Sequence, residues 1–141
     1  MEKKRGKSRL LLVLGCLALA TSALWAASDA GSAISELLPL GNEFAPDAGG
    51  EVSYNTSGDS LLLAVKADNL VAEKEYTLKC SGVDLGQGVA DKTGTVVIAA
   101  EVTDAATLQK ISEDAKRKFF LWQDSHCLAW SGEIFTFTYT P

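Results

Sequence analysis

Glu51-Val52-Ser53-Tyr54-Asn55-Thr56-Ser57-Gly58-Asp59-Ser60-Leu61-Leu62-Leu63-Ala64-Val65-Lys66-Ala67-Asp68 is the stretch on which the fold turns. Val52 and Tyr54 alternate with Ser53 and Asn55. After Ser57-Gly58-Asp59, the residues Leu61, Leu63, Val65 and Ala67 alternate with Leu62, Ala64, Lys66 and Asp68. Side chains on a strand point to opposite faces in turn, so two period-two runs around a Gly-Asp turn predict a β-hairpin.

Downstream, Tyr76, Leu78 and Cys80 alternate with Thr77 and Lys79, which directs Cys80 inward with the large apolar residues. Val83 to Gly88 reads as a Gly-spaced connection, Asp91-Lys92-Thr93-Gly94 as a turn, and Thr95 to Val102 as a buried strand rich in β-branched residues. A single helix is predicted over about residues 104–117. Thr103 or Asp104 would cap it, Leu108, Ile111 and Ala115 form its buried stripe, and Lys116, Arg117 and Lys118 meet its carbonyl end. Glu113 with Arg117 and Asp114 with Lys118 are spaced to pair along it. Phe119 to Gln123 is the next strand, Asp124-Ser125 the turn into His126 to Ser131, and Phe135, Phe137 and Tyr139 alternate with threonines in the last strand. Short strands separated by turns predict a mainly β domain, an antiparallel β-sandwich with one inserted α-helix.

Leu70, followed six residues later by Tyr76, resembles the tyrosine corner of fibronectin type III and immunoglobulin-like domains. In that corner the Tyr hydroxyl bonds back to backbone near the Leu and fixes a crossing between sheets. The resemblance spans about ten residues and implies an immunoglobulin-like sandwich. It departs from the family in coming early in the domain, and in placing Tyr76 four residues before Cys80 instead of two. It therefore implies architecture and no functional residue.

Working back to the amino terminus, Lys3, Lys4, Arg5, Lys7 and Arg9 stand against the single acid Glu2, and every residue from Leu10 to Ala27 is uncharged. A basic start, an apolar run and small residues after it make a signal peptide over residues 1–26, cut after Ala26, with Ala23 and Ser28 as alternative sites. Two other readings stay open: an uncleaved membrane anchor, and lipidation at Cys16 in Val13-Leu14-Gly15-Cys16. All three place the rest of the chain across a membrane, secreted, periplasmic or at the cell surface. Residues 27–50, rich in Ala, Gly, Ser and Pro, read as a flexible linker or arm, with Ile34, Leu37, Leu38 and Leu40 pinning a short helical turn to the core. Residues 51–141 form the folded domain.

Loss of residues 1–26 leaves eight basic against seventeen acidic residues, a net charge of −9. Such a chain is unsuited to nucleic acid or anionic lipid, which require a basic surface. Cys80 and Cys127 remain, and an even pair in an oxidising compartment reads as one disulfide. Closing a ring of about 47 residues, it would stabilise the fold by on the order of 4 kcal/mol in the chain-entropy relation.

Chemistry is sparse. The one histidine, His126, follows Asp124 and Ser125 directly, so the three side chains diverge and form no triad among themselves. Gly82, Gly86 and Gly88 lie between strands and make no phosphate loop, and Asp84 and Asp91, on either side of Gly86 and Gly88, are the one candidate pair for Ca²⁺. Asn55-Thr56-Ser57 is a glycosylation sequon. With Phe119 and Leu121 facing inward, Phe120 and Trp122 face outward, and His126, Leu128 and Trp130 share one side of the following strand. Trp122, His126 and Trp130 are thus the candidate ligand surface, a flat platform for a sugar ring or a partner protein; the competing reading buries Trp130 against the disulfide. The expectation is an exported non-enzymatic module for binding or surface assembly, with no cofactor or metal and with protein or glycan as partner. The alternative is a small exported enzyme inhibitor, presenting the loop Ser81 to Asp91, or a hydrolase-like enzyme built around His126.

Overall fold

The computed structural model of the chain describes residues 31–141. The expected signal peptide, its cleavage sites and Cys16 lie outside the described residues. Among the described residues no helix is long and apolar enough to cross a membrane.

The hairpin read from residues 51–68 is present as β2 (Gly49–Asn55) and β4 (Leu61–Asp68), antiparallel with Val52 opposite Val65 and Tyr54 opposite Leu63. All four of these side chains are buried. Asn55 organises the turn: its Nδ2 donates to Ser57 O (3.1 Å) and Ser60 O (2.8 Å), and its Oδ1 accepts from Leu62 N (2.6 Å). Within the turn, β3 (Ser57–Gly58) runs parallel to β10 (Thr138–Tyr139), near the carboxyl terminus.

The remaining elements are β1 (Ser32–Pro39), β5 (Glu75–Cys80), β6 (Val83–Val89), β7 (Val96–Val102), α1 (Ala105–Glu113), β8 (Phe120–Gln123) and β9 (His126–Ser131). Eight strands join one sheet in the order β6-β5-β8-β9-β1-β2-β4-β7. Its two edges come together, which makes it nearly barrel-shaped and not clearly the expected sandwich. Two segments account for the difference. The stretch expected as a linker, residues 27–50, contains β1, hydrogen-bonded to β2 on one side and β9 on the other. Ile34, Leu37 and Leu38 lie on this strand instead of the expected helical turn. The stretch expected as a connection is β6, paired with β5 and closing on β7.

Glycine makes that closure feasible. A Cβ on Gly86 would sit 2.9 Å from Ile98 Cγ2 and 3.0 Å from Ala100 Cβ, and one on Gly88 would sit 3.0 Å from Ile98 Cγ1 and Val97 O. Glycine inside a strand commonly marks such a close approach. Leu85 is the extra residue of a bulge, since Leu78 faces Gly86 while Lys79 faces Asp84. Ser81 (φ 53°) and Gly82 (φ 78°) form the two-residue β5–β6 turn, both left-handed as a type I′ hairpin requires.

The interior is filled by side chains, as an eight-stranded barrel permits. Leu61, Leu63, Leu78, Ile98, Leu121 and Leu128 are fully buried there. At one end Tyr54, Phe119 and Phe135 cluster, Phe119 stacked on Phe135 with ring centroids 3.9 Å apart. The helix is shorter than predicted. Asp104 caps it, its carboxylate accepting from Thr107 N (2.9 Å) and Thr107 Oγ1 (2.7 Å), and Leu108 and Ile111 are buried as expected. It stops at Glu113, so Ala115 is exposed, and neither Glu113–Arg117 nor Asp114–Lys118 pairs among the described residues. Arg117 instead donates from Nη1 to Asp114 O (2.9 Å) and Ser112 O (3.4 Å), satisfying carbonyls that the last turn leaves open. Phe135, Phe137 and Tyr139 alternate inward and outward with the threonines as predicted, but only Thr138 and Tyr139 pair with another strand.

The bond expected from Tyr76 back to the backbone beside Leu70 is present. Val71 N donates to Tyr76 Oη (2.8 Å), and that hydroxyl reaches Gln123 Oε1 (3.0 Å) and Val71 O (3.2 Å).

Three acids hold turns together. Asp91 Oδ1 accepts from Thr93 Oγ1, Thr93 N and Thr95 N; Asp104 caps α1; Asp114 Oδ2 accepts from Ser81 Oγ (2.7 Å), tying the β5–β6 turn to the end of α1. Hydrogen bonds from the Thr93, Thr107 and Ser81 hydroxyls are the largest cause holding these carboxyls below their ordinary range. A carboxyl with a depressed folded pKa is protonated first in the unfolded chain, so its contribution is complete above the unfolded value and lost as pH falls through the folded one. The urea midpoint should therefore be flat between about pH 5 and pH 8 and fall below about pH 4. Asp91→Asn, which keeps an acceptor but removes the titration, should make that acid limb shallower.

Candidate functional site

The outer face of β8 and β9 is built by two antiparallel pairs. Phe120 lies opposite Trp130, and Trp122 opposite Cys127. Between them Leu121 faces Ala129, which leaves Leu128 as the extra residue of a bulge. As expected, Phe119 and Leu121 are buried, while Phe120 and Trp122 are half-buried on the outside. The bulge corrects the other strand: Leu128 turns into the core instead of sharing a side with His126 and Trp130. Trp130 lies half-buried on the outer face.

The register continues the outer row across four strands: Lys79 on β5 faces Phe120, Phe120 faces Trp130, and Trp130 faces Leu38 on β1. Phe120 and Trp130 have ring centroids 6.3 Å apart and planes tilted by 31°, a shallow, nearly continuous surface. Two cations lie against it. Lys118 Nζ is 4.5 Å from the Trp130 ring centroid, and Lys79 Nζ is 5.2 Å from that of Trp122. Each such contact is worth about 0.5–1 kcal/mol at an exposed site. Lys79 is also 3.4 Å from Asp84, whereas Lys118 makes no ion pair among the described residues.

His126 is exposed at the end of β9, its ring 4.5 Å from that of Phe44. The structure thus groups Trp122 and Trp130, with Phe120, and sets His126 beside Phe44. Phe44 was not singled out in the sequence, and Leu38 and Lys118 were expected at a helical turn and a helix end, not on this surface. Leu38 has a legible signal only once β1 is known to pair with β9.

The expected Cys80–Cys127 disulfide is not formed, and both thiols are free. Cys127 faces Trp122, Trp122 faces Thr77, and Cys80 is three residues farther along β5. Two strand spacings of about 4.8 Å and three residues of about 3.3 Å put the pair well beyond the ~7 Å reach of a disulfide. They also face opposite sides: Cys80 points into the core, with its thiol 3.4 Å from Ser81 Oγ, while the Cys127 thiol donates to Ala129 O (3.6 Å). Burial pushes the Cys80 thiol up to about 11 and raises that of Cys127. Alkylation of the native protein should therefore modify Cys127 slowly and spare Cys80, with both reacting in denaturant. Labelling of Cys127 only after reduction would contradict the register.

Other candidates are dispersed. Asp84 stands near the start of β6 and Asp91 beyond its end, seven residues and roughly 23 Å apart along an extended chain, too far to share an ion. Among the described residues no three of His, Cys, Asp and Glu come together as metal ligands. The sequon nitrogen Asn55 Nδ2 is committed to two carbonyls and the residue is buried, so the folded domain does not present it for glycosylation. Ser81 to Asp91, expected as a protruding loop, is a tight turn and β6. No protein-family model matches the chain, and no curated protein matches its sequence.

Proposed function

We propose that the chain is an exported, non-enzymatic module that acts by binding, with the outer face of β8 and β9 as the surface that meets a glycan or protein ligand in a cell-surface setting. The observation that carries this is the cross-strand row Phe120–Trp130 beside Trp122, half-buried on the outside of a sheet whose interior is already filled. An apolar patch rimmed by polar residues is the kind of surface that marks an interaction site. Aromatic side chains offer large contact area at little cost in conformational entropy. Export is supported by the basic start and the uncharged run Leu10 to Ala27, and the charge of −9 remaining after residue 26 argues against nucleic acid and anionic membrane as partners. We read the immunoglobulin-like resemblance as confined to the Leu70–Tyr76 corner.

The test is retention. Exported protein is mixed with washed cell-surface material from its producing organism, pelleted and quantified, next to the double variant Trp122→Ala/Trp130→Ala. Removing two central aromatic anchors should weaken binding by about 2 kcal/mol or more, on the order of thirtyfold in Kd, with the far-UV spectrum unchanged. Equal retention of the two proteins would remove this face from the function.

A further inference from the structure

We propose that the ligand on this face is an acidic polysaccharide, its sugar rings lying along Phe120 and Trp130 and its carboxylate or sulfate groups held by Lys79 and Lys118. This deepens the binding role assigned above and rests on it. The overall charge of −9 opposes a polyanion at long range, so the step is carried by the local placement of cations on this face, distant acids being screened beyond about 8–10 Å. The chain after residue 26 has seventeen acidic and only eight basic residues, yet two of those eight sit directly over the two half-buried indoles of the outer face. A lysine lying on an indole is held only by a weak cation–π contact and can swing from the ring to an arriving anion. Lys118 makes no ion pair among the described residues, and the one partner of Lys79 is Asp84, on an exposed salt bridge that costs little to exchange.

The shape of the surface favours a saccharide over a protein. Lysine is depleted at the centre of protein–protein interfaces, where arginine and aromatics are enriched, but here lysines flank the rings on both sides. Phe120 and Trp130, tilted by 31° with centroids 6.3 Å apart, give two neighbouring faces in one row. Successive rings of an extended glycan can lie on these through their C–H faces. The row is bounded by Lys79 at one end and Leu38 at the other, so a chain of sugars crosses the strands with a cation at hand.

The experiment is a fluorescence titration of the exported protein, in which loss of residues 1–26 takes Trp25 away and leaves Trp122 and Trp130 as the only indoles that emit. The probes are polygalacturonate against its fully methyl-esterified form, and dextran sulfate against dextran. Polygalacturonate binding at least about tenfold tighter than its ester, weakened about tenfold in Lys79→Gln/Lys118→Gln and by added salt, supports carboxylate recognition. The same pattern with dextran sulfate alone supports sulfate recognition. Equal affinity for charged and neutral forms, or no response to any of the four, overturns the proposal. In that case, loss of surface retention in Trp122→Ala/Trp130→Ala shows that the binding face stands with a neutral glycan or a protein as its ligand. Unchanged retention shows that both ideas fail.

Discussion

Gly50→Ala should prevent the domain from folding at 25 °C. A Cβ at this position would lie 2.0 Å from Lys66 O, 2.6 Å from Ala67 Cα and 2.9 Å from Lys66 C. All three atoms are backbone of the adjacent strand β4, and Gly50 is also paired with Leu37 of β1, so neither neighbour can yield without breaking a ladder. Closing this gap in the middle of the sheet should cost more than about 4–5 kcal/mol, against a total stability for a domain of this size of about 5–15 kcal/mol. Gly41→Ala is the control. Nothing lies within 4 Å of its Cβ, and its φ of 72° should cost only about 1–2 kcal/mol. Urea denaturation followed by circular dichroism distinguishes the two. A cooperative Gly50→Ala transition near the parent midpoint would contradict the β1–β2–β4 register.

Phe119→Ala has the second largest expected effect. The ring is fully buried, stacked on Phe135 and tilted against Tyr54 at 5.5 Å, at the point where the chain enters β8. Removing it leaves a cavity among aromatic neighbours that cannot collapse into it, at a cost of about 3–5 kcal/mol. The backbone here is doubly fixed, since Phe119 N donates to Ser131 Oγ (2.8 Å) and Ser131 N to Phe119 O (2.9 Å). Because Phe120 follows directly, the loss should also loosen the outer row. A variant within about 1 kcal/mol of the parent would show that Phe119 packs elsewhere.

The sequence made the β2–β4 hairpin legible because both strands alternate cleanly, and the Tyr76–Val71 bond and the Asp104 cap because each depends on residues close in the chain. It hid β1 for a physical reason. This strand presents Ile34 and Leu38 outward and Ala33, Ser35 and Leu37 inward, so apolar residues stand on both faces and the period of two is lost. It hid β6 because Gly86 and Gly88, ordinarily turn residues, are there to let β7 approach. Missing these two strands turned a single curled sheet into an expected sandwich. The disulfide followed from parity and compartment alone, which carry no information about register. On the candidate surface, inward and outward alternation placed Phe120 and Trp122 correctly. The bulge at Leu128 could not be foreseen, because it is set by pairing across strands, and so Leu128 was expected on the wrong side.

The most direct test of the aromatic face is acrylamide quenching of the protein beginning at Ala27, whose only indoles are Trp122 and Trp130, with and without saturating cell-surface material. If Trp122 and Trp130 form the binding platform, both are quenched in the free protein and shielded in the complex. Identical quenching in the two states, with the protein demonstrably bound, would place the ligand elsewhere on the molecule.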